Sequence, residues 1–295
     1  MRTILITFFI ICASTACFCQ DYVFRVMVNK GSNMFKKESE TKWQPVKKGI
    51  SFNIGDWIRI ANDAYLGLVH NSGKTTALKN PGVFEISKLA SEIGLQKKGI
   101  AAKYIEFVFN TIEQKPAVSD NNQVVVTRGA EKRIHLLLPS NAKALNRIII
   151  LTWNPIPGEN TYVVTVMGIF EDILIQEETN TNRFMLNMDL AALNQEKTLI
   201  IRVSLKANAE VHSGEHVIST LSNNEIEVLQ SELLPLIQEI SQESSLDQII
   251  LASFYEQQDL LIDAIYCYLE AIQLSPEVAD YKEMYDNFMI RNKLK

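Results

Sequence analysis

A short stretch of the chain has the residue types that end a phosphate-binding loop. Residues 72–76 read Ser-Gly-Lys-Thr-Thr, and such loops hold a phosphate with backbone N–H groups and a lysine. The motif also requires a glycine five positions before Gly73, where Leu68 stands. No buried strand and helix flank the stretch in the required order, so the pattern predicts a polar hairpin turn.

Two histidines, His212 and His216, have the spacing of a metal-binding pair on a helix. Ser213 and Gly214 lie between them and favour a turn that joins two strands. The other two histidines lie in distant segments and offer no obvious third ligand. We therefore predict exposed loop histidines and no metal or other cofactor, with a weak metal site as the alternative.

Patterns of known catalytic sites are missing from the sequence. It has no nucleophile elbow, no cysteine–histidine pairing and no glycine-rich dinucleotide fingerprint. The adjacent acids Glu171 and Asp172 are predicted to be solvated in a turn between strands, and Cys267 to be a buried small residue. At least one of Trp43 and Trp57 is predicted to pack in a core, and an exposed aromatic patch for glycan or peptide is the alternative. We expect the protein not to be an enzyme.

The overall composition narrows the class of protein. The 295 residues are 47% hydrophobic and carry a net charge of −5, with a pI near 5.5. The length predicts two or three small domains, and the apolar content is sufficient for their cores. The acidic balance gives no basis for nucleic-acid binding. No apolar run after the amino-terminal stretch approaches the length of a transmembrane helix, so no membrane span is expected in the mature chain.

Residues 1–19 have the pattern of a secretory signal peptide. Arg2 supplies the positive charge, Ile4–Cys12 is an almost entirely apolar run, and small residues follow it. We predict cleavage at the end of this segment, which leaves Gln20 as the first residue, and export to the periplasm or the cell surface. The alternative is earlier cleavage that exposes Cys17 for attachment of a lipid anchor.

Residues 20–92 alternate apolar and polar side chains with the period of a β-strand. Phe24, Val26 and Val28 belong to one such run. Glycine, asparagine and aspartate separate the short runs from one another, as in antiparallel sheets. The pattern predicts a small antiparallel β domain.

The order of motifs in this region resembles the periplasmic FecR-like domain. The residues that carry the resemblance are 43–49, 55–59, 64–70 and 73–75, followed by Pro81 and Gly82. Regulators of this family also have a cytoplasmic segment and a membrane span, for which this sequence shows no counterpart. The resemblance therefore implies a β domain, and a sensory or regulatory role would require a separate membrane partner.

Residues 93–123 predict a linking helix followed by a polar linker. Apolar residues recur at helical spacing between Gly99 and Gln114, and Pro116 ends the pattern. The predicted stripe consists of Ile100, Tyr104, Phe107, Val108, Thr111 and Ile112. Residues 117–123 are the polar linker.

Strand patterns return over residues 124–229. The predicted strands cover residues 134–139, 147–153, 162–166, 184–186 and 199–203. Trp153 closes the second strand, a proline-rich turn follows, and Tyr162 opens the third. In this order the region resembles a fibronectin type III or related immunoglobulin-like sandwich, which implies that the tryptophan packs between two sheets.

Residues 230–295 predict helices. Their predicted ranges are residues 231–241, 247–257, 259–274 and 277–292. The middle pair resembles one tetratricopeptide (TPR) repeat, on the residues Leu251, Ala252, Tyr255, Ala264, Tyr268, Ala271 and Pro276. Pro235 is expected in the first turns of the first helix, where proline is tolerated. A single repeat cannot bury its own faces, so the outer two helices are expected to cap the pair.

The TPR-like pair implies a short concave groove in which a protein partner binds. The predicted lining is Gln248, Tyr255, Gln258 and Tyr266. The alternative is that the helices only dock on the preceding sandwich and stabilise the carboxyl-terminal end.

The expected fold class is multidomain and mainly β, with an α-helical carboxyl-terminal end. The order of its regions resembles that of uncharacterised envelope proteins of the Bacteroidetes. We expect an exported, non-catalytic protein that acts as a protein–protein interaction or scaffolding module. The alternatives are a sensory or regulatory component that works through the FecR-like domain, and a hydrolase, for which the sequence offers no pair of catalytic residues.

Overall fold

The computed structural model describes residues 22–94, 98–113 and 133–294. Sheets make up most of the amino-terminal two thirds and helices the carboxyl-terminal end, which confirms the mainly β fold class with a helical end. The predicted signal peptide, the lipid anchor at Cys17 and the linker of residues 117–123 lie outside the described residues. Within the described part, no helix combines the length and apolar character needed to cross a membrane.

The first β region contains eight short strands. They are β1 (Phe24–Lys30), β2 (Met34–Lys36), β3 (Gln44–Pro45), β4 (Ser51–Phe52), β5 (Trp57–Ile60), β6 (Tyr65–His70), β7 (Thr75–Leu78) and β8 (Gly82–Glu85). They form two sheets in the orders β4-β1-β6-β7 and β3-β2-β5-β8. All pairings are antiparallel, as predicted for this region. Gly55 has a φ of 91°, and a Cβ there would lie 2.6 Å from the Glu38 side chain. Glycine is therefore required at this turn.

Both sheets of this region face one apolar core. Its fully buried members include Phe24, Phe52, Ile58, Leu66 and Leu68. Helix α1 (Ile86–Ile93) follows β8 directly and closes the core with Ile86 and Leu89. The sequence did not predict α1, because eight residues span little more than two turns, which is shorter than the window over which a helical period can be recognised.

Helix α2 (Ala101–Glu113) confirms the linking helix. Its largest buried side chains are Tyr104, Ile105, Val108 and Phe109. Phe107 of the predicted stripe is only half-buried, so the predicted face was wrong at this position. The reason is that the buried face of α2 is centred on Tyr104 and Phe109. The Arg25 guanidinium of β1 lies 3.9 Å from the centroid of the Phe109 ring, and Tyr104 packs against the later helices.

The second β region contains seven strands. They are β9 (Asn141–Ala144), β10 (Ile148–Thr152), β11 (Tyr162–Met167), β12 (Ile173–Thr179), β13 (Arg183–Asn187), β14 (Thr198–Leu205) and β15 (His216–Thr220). Five of them form a sheet in the order β12-β11-β14-β15-β9, and β10 pairs with β13. All pairings are antiparallel except that between β15 and β9.

This region differs from the sequence prediction at residues 134–139 and at three strands that were not predicted, β9, β12 and β15. Residues 134–139 do not form a strand, because only Leu136 makes an isolated bridge to Trp153. β12 was not predicted, since its outer half is polar and exposed and hides the alternation. The Trp153 ring is fully buried and meets the Tyr162 ring edge-on, with centroids 5.3 Å apart.

Four helices complete the chain. They are α3 (Asn223–Glu239), α4 (Ser245–Gln257), α5 (Leu261–Leu274) and α6 (Ala279–Arg291). The last three match the predicted ranges within a few residues. The prediction for α3 was wrong at its start, because the helix begins at Asn223 and not at residue 231. Pro235 consequently lies inside the helix and not in its first turns.

Helix α4 lies at the centre of the molecule. It is buried continuously from Ser245 to Tyr255, and it contacts α2, α5 and β7. At Gly67 of β6, a Cβ would lie 2.7 Å from a methyl group of Leu246, so glycine permits the close approach of α4. Because α5 also contacts β9 and β10, and α6 contacts β1, the helices are docked on both β regions. They share one core with the second region and with Met27, Val28, Tyr65 and Val69 of the first, which also keeps its separate core.

Candidate functional site

A groove of about 870 Å³ lies between three elements of the second half of the chain. Strands β9 and β15 form one side, the first half of α3 forms another, and the turn from α4 to α5 forms the third. The lining residues used below are Lys143, Glu225, Val228, Leu229, Gln258 and Leu260. We call this surface the α3 groove.

The start of α3 is fixed by a reciprocal pair of hydrogen bonds. The Ser222 hydroxyl accepts from the backbone N–H of Glu225, and the Glu225 carboxylate accepts from the backbone N–H of Ser222 at 2.9 Å. The same carboxylate forms an ion pair with Lys143 of β9. Lys143, followed by the Ser222 contacts, lowers the pKa of Glu225 to about 2. The first turn of α3 is thereby tied to the edge strand that faces it across the groove.

The turn between α4 and α5 provides the opposite side. Asp259 adopts a left-handed conformation with a φ of 57°. This allows Leu260 to turn inward, where it is buried and its N–H donates to the Tyr255 carbonyl at 2.9 Å. Gln258 stays exposed at the edge of the groove. The turn thus places an apolar side chain in the groove and an amide on its rim.

A buried acid fixes the position of α5. Asp263 accepts hydrogen bonds from the backbone N–H groups of Leu145 and Asn146, at 2.9 and 2.7 Å. These two residues form the turn between β9 and β10. Burial raises the pKa of Asp263 to about 6, although the two N–H donors act in the opposite direction. The carboxyl group therefore anchors α5 to the sheet, next to the strand that lines the α3 groove.

The groove also contains exposed apolar surface. Val228 of α3 is 74% exposed even though it lines the groove, and the neighbouring Leu229 and Leu260 are buried. At one end, Glu232 accepts from the Tyr104 hydroxyl at 2.5 Å and from Lys103 at 3.1 Å. An apolar wall with a polar rim is typical of a non-covalent binding site.

The four residues predicted to line a partner groove do not form one exposed surface. Gln248 and Tyr255 are buried, and Gln248 Nε2 donates to the Gln242 carbonyl at 2.8 Å. Tyr266 is half-buried, and Gln258 is the exposed member that lines the α3 groove. The predicted concave lining is thus corrected at Gln248 and Tyr255, which face protein and not solvent.

The reason for this correction is that other elements cover α4. Tyr104 of α2 meets Phe254 edge-on, with ring centroids 5.3 Å apart, and the Ser253 hydroxyl lies 3.3 Å from the Tyr104 carbonyl. A two-helix unit has apolar faces to bury, and α2 buries one of them. The α3 side of the groove was missed because the helix was predicted to start too late. The Ser-x-x-Glu sequence at residues 222–225 is the signal that marks its true start.

The structure also places the other candidate residues. Of residues 72–76, the first three lie in the predicted hairpin turn between β6 and β7, and Thr75 and Thr76 begin β7. The prediction of exposed histidines was wrong for His216, which is buried with Nδ1 3.1 Å from the Pro139 carbonyl oxygen. His212 belongs to an isolated bridge to Ser204. Among the described residues, no three His, Cys, Asp or Glu side chains converge in a geometry that could hold a metal ion.

The remaining candidates have ordinary surroundings. Glu171 and Asp172 lie in the predicted turn between β11 and β12 and are exposed. Cys267 is buried as predicted, and burial raises the pKa of its thiol. Both Trp43 and Trp57 are only half-buried, so neither indole is a core residue and the prediction that at least one would pack in a core was wrong.

Comparison with models of known protein families and with curated proteins gives no match.

Proposed function

We propose that the protein is an exported, non-catalytic component of a bacterial envelope that binds a protein partner in the α3 groove. The observation that carries this proposal is the combination of an exposed Val228 with walls fixed by the Lys143–Glu225 ion pair and by Asp263. A rigid apolar groove loses little conformational entropy when a ligand fills it. Export rests on the amino-terminal sequence pattern alone.

The proposed architecture supports an interaction role. It comprises a FecR-like β domain, a fibronectin III-like or immunoglobulin-like sandwich, and a TPR-like helical pair capped by α3 and α6. The sandwich assignment is supported by the sheet order β12-β11-β14-β15-β9, the separate β10-β13 pair and the Trp153–Tyr162 contact. The TPR-like assignment is supported by Ala252, Ala264 and Ala271, which are all fully buried along α4 and α5.

The chemistry of the groove favours an apolar peptide segment with a basic side chain. The apolar wall of Val228, Leu229 and Leu260 provides surface for an aliphatic or aromatic side chain. The acids that line the groove are Glu225, Glu232 and Asp259. Lys143 pairs with Glu225 and Lys103 pairs with Glu232, which leaves the Asp259 carboxylate without a cation among the described residues. This excess of negative charge attracts a basic residue next to the apolar contact.

Two buried acids with raised pKa values, Asp263 and Asp247, have structural roles, which supports a non-catalytic function. Asp263 accepts from two backbone N–H groups, and Asp247 accepts from the Thr75 hydroxyl at 2.6 Å and from the Ser241 N–H at 2.8 Å. Burial raises the pKa of both carboxyl groups. Their polar atoms are engaged in holding elements together, which is the alternative to catalysis for a perturbed acid.

The test compares two substitutions on the same helix. Val228→Asp places a charge in the groove, whereas Leu234→Asp places one at a position that is also exposed but lies outside the groove lining. Each variant would be used as bait for affinity capture from an envelope fraction of the source organism. We expect the wild type and Leu234→Asp to capture the same protein, and Val228→Asp to lose it. Equal capture by all three would contradict binding in the α3 groove.

A further inference from the structure

The sheet β3-β2-β5-β8 has an outer face that is not packed against its core. Strand register places Met34, Arg59 and Val83 side by side, and likewise Lys36, Trp57 and Glu85. Their neighbours Phe35 and Ile58 point the other way and belong to the core. The outward residues are half-buried or exposed. Because the side-chain period of a strand is two, they form one continuous surface, which we call the outer face.

Two cations converge on a single indole at this face. The Arg59 guanidinium carbon lies 4.1 Å from the centroid of the Trp43 ring, and the Lys36 ammonium nitrogen lies 5.8 Å from the same ring. Both are attracted by the negative face of the ring. This contact holds the guanidinium in one place while leaving its N–H edge available to a ligand, which makes it a preorganised anion-binding group.

Within the described part of the chain, both cations lack an acidic partner, unlike Lys37 and Lys48 of the same region. Lys37 pairs with Asp56, and Lys48 pairs with Asp280 and Glu283 of α6. No described carboxylate lies within 4.0 Å of Arg59 or Lys36. Glu85 of β8, the acid of the outer face, accepts a hydrogen bond from the Ser87 hydroxyl of α1.

The net charge of the first β region makes the electrostatic potential at the outer face more positive. Residues 22–94 contain 11 Lys and Arg against 6 Asp and Glu, which is a net charge of +5, whereas the whole chain carries −5. Val83 is 52% exposed and Met34 is half-buried beside Arg59. The surface therefore combines positive charge with a flat apolar and aromatic area.

We propose that the outer face binds an anionic polysaccharide that carries carboxylate groups on its sugar rings. A sugar ring has an apolar C–H face of the size of an indole and can lie on Trp57, while a carboxylate on that ring accepts two parallel N–H bonds from Arg59. Lys36 supplies a second positive charge next to the same indoles. The combination of a flat aromatic surface and fixed cations fits a charged sugar. This site is separate from the α3 groove and does not depend on it.

The experiment measures binding of polygalacturonate to the full mature chain by titration calorimetry at low salt. Its methyl ester serves as a neutral probe with the same backbone. We expect polygalacturonate to bind, the ester to bind at least about tenfold more weakly, and affinity to fall as salt is added, since charge-assisted bonds contribute a factor of this order. Arg59→Gln and Trp43→Ala should each weaken binding about tenfold.

The matched control is Lys88→Gln, which removes the same charge from an exposed position on α1. It should leave the affinity within about twofold of the wild type, as expected for a charge outside the contact. If Lys88→Gln lowers the affinity for polygalacturonate as much as Arg59→Gln does, only net charge matters and the proposal is overturned. Absence of polygalacturonate binding would overturn it as well. If poly-glutamate or phosphatidylglycerol vesicles bind more tightly than polygalacturonate, and Arg59→Gln weakens that binding too, the proposal of a sugar ligand is overturned. The ligand of the outer face would then be an acidic peptide or a lipid surface.

Discussion

The first β region and the helical end of the chain use charge in opposite ways. Residues 22–94 carry a net charge of +5, whereas residues 223–294 carry 14 Asp and Glu against 3 Lys and Arg, a net charge of −11. Acids of the helical end turn towards backbone N–H groups of other elements. Asp263 bonds the β9–β10 turn, Glu239 bonds the first N–H groups of α2, and Asp280 bonds Asn29 of β1.

In the first β region, by contrast, some cations stay at the surface. Arg59 and Lys36 gather over Trp43 and have no carboxylate partner among the described residues. The composition of a segment therefore does not show whether its charged groups bind other elements or stay exposed. At the helical end the charge mainly joins elements, and at the outer face of the β region it remains available to a ligand.

Among the substitutions that test this difference, Asp263→Ala is expected to have the largest effect on the free energy of unfolding. The substitution leaves the N–H groups of Leu145 and Asn146 without an acceptor in the interface between α5 and the sheet. Orphaned donors of this kind cost roughly 1–3 kcal/mol each, so the free energy of unfolding should fall by about 3 kcal/mol. Chemical denaturation measures this. Glu277→Ala, at an exposed acid of the same end, should change it by less than about 0.5 kcal/mol. Equal effects would show that Asp263 is not an anchor.

The close packing of α4 and α5 gives the next largest effect. Ala264 is fully buried along α5, and Ala264→Leu adds a side chain for which the interior has no room. Overpacking should lower the free energy of unfolding by roughly 1–3 kcal/mol. Ala279→Leu, at an exposed position of α6, is the matched control. If both variants melt at the temperature of the wild type, the assigned seam between the helices is wrong.

The pH dependence of stability tests the electrostatic side of the comparison. Burial raises the pKa of Asp263 to about 6 from an ordinary value of 3.8, so the folded state binds this proton more tightly than the unfolded state. The protonated carboxyl group therefore contributes to the free energy of unfolding. This contribution is fully present below pH 3.8 and is lost as the pH rises through about 6.

The variant Asp263→Asn isolates this effect, because its side chain does not titrate. Between pH 5 and pH 7.5, the wild type should lose about 1 kcal/mol more of its free energy of unfolding than the variant does. Urea denaturation at the two values measures the difference. Parallel behaviour of the two proteins would mean that Asp263 keeps an ordinary pKa in the folded state.

The smallest stability effect concerns the start of α3. Ser222→Ala removes the hydroxyl that accepts from the Glu225 N–H, and loss of such a cap costs about 1 kcal/mol. Hydrogen exchange should show faster opening of the first turn of α3, while α4 stays protected. Exchange in α3 identical to that of the wild type would show that the Lys143–Glu225 ion pair is sufficient to hold this wall of the α3 groove.

Local patterns in the sequence predicted those parts of the fold that depend on neighbouring residues. The ranges of α4, α5 and α6 follow from helical periodicity, and the antiparallel first β region follows from alternation and turn residues. The errors arise where distant contacts decide. His216 is buried because the segment at Pro139 covers it, and residues 134–139 lack the extended pairing that their apolar pattern predicts.

The candidate site was predictable only in part for the same reason. Gln258 was identified from its place in the helical pair and does line the α3 groove. Gln248 and Tyr255 were assigned to an open face, but α2 and other elements cover α4. Since α2 and α4 are more than a hundred residues apart in the chain, no local pattern predicts that contact. The Trp43–Arg59 contact likewise depends on the strand register.

The most direct test of the proposed function is site-specific photo-crosslinking in cells that produce the protein. A photoreactive amino acid would replace Val228 inside the α3 groove or, separately, Leu234 outside it. Our account predicts a discrete crosslinked protein product at position 228 and none at position 234. The same product at both positions, or a product only at position 234, would contradict a partner site in the α3 groove.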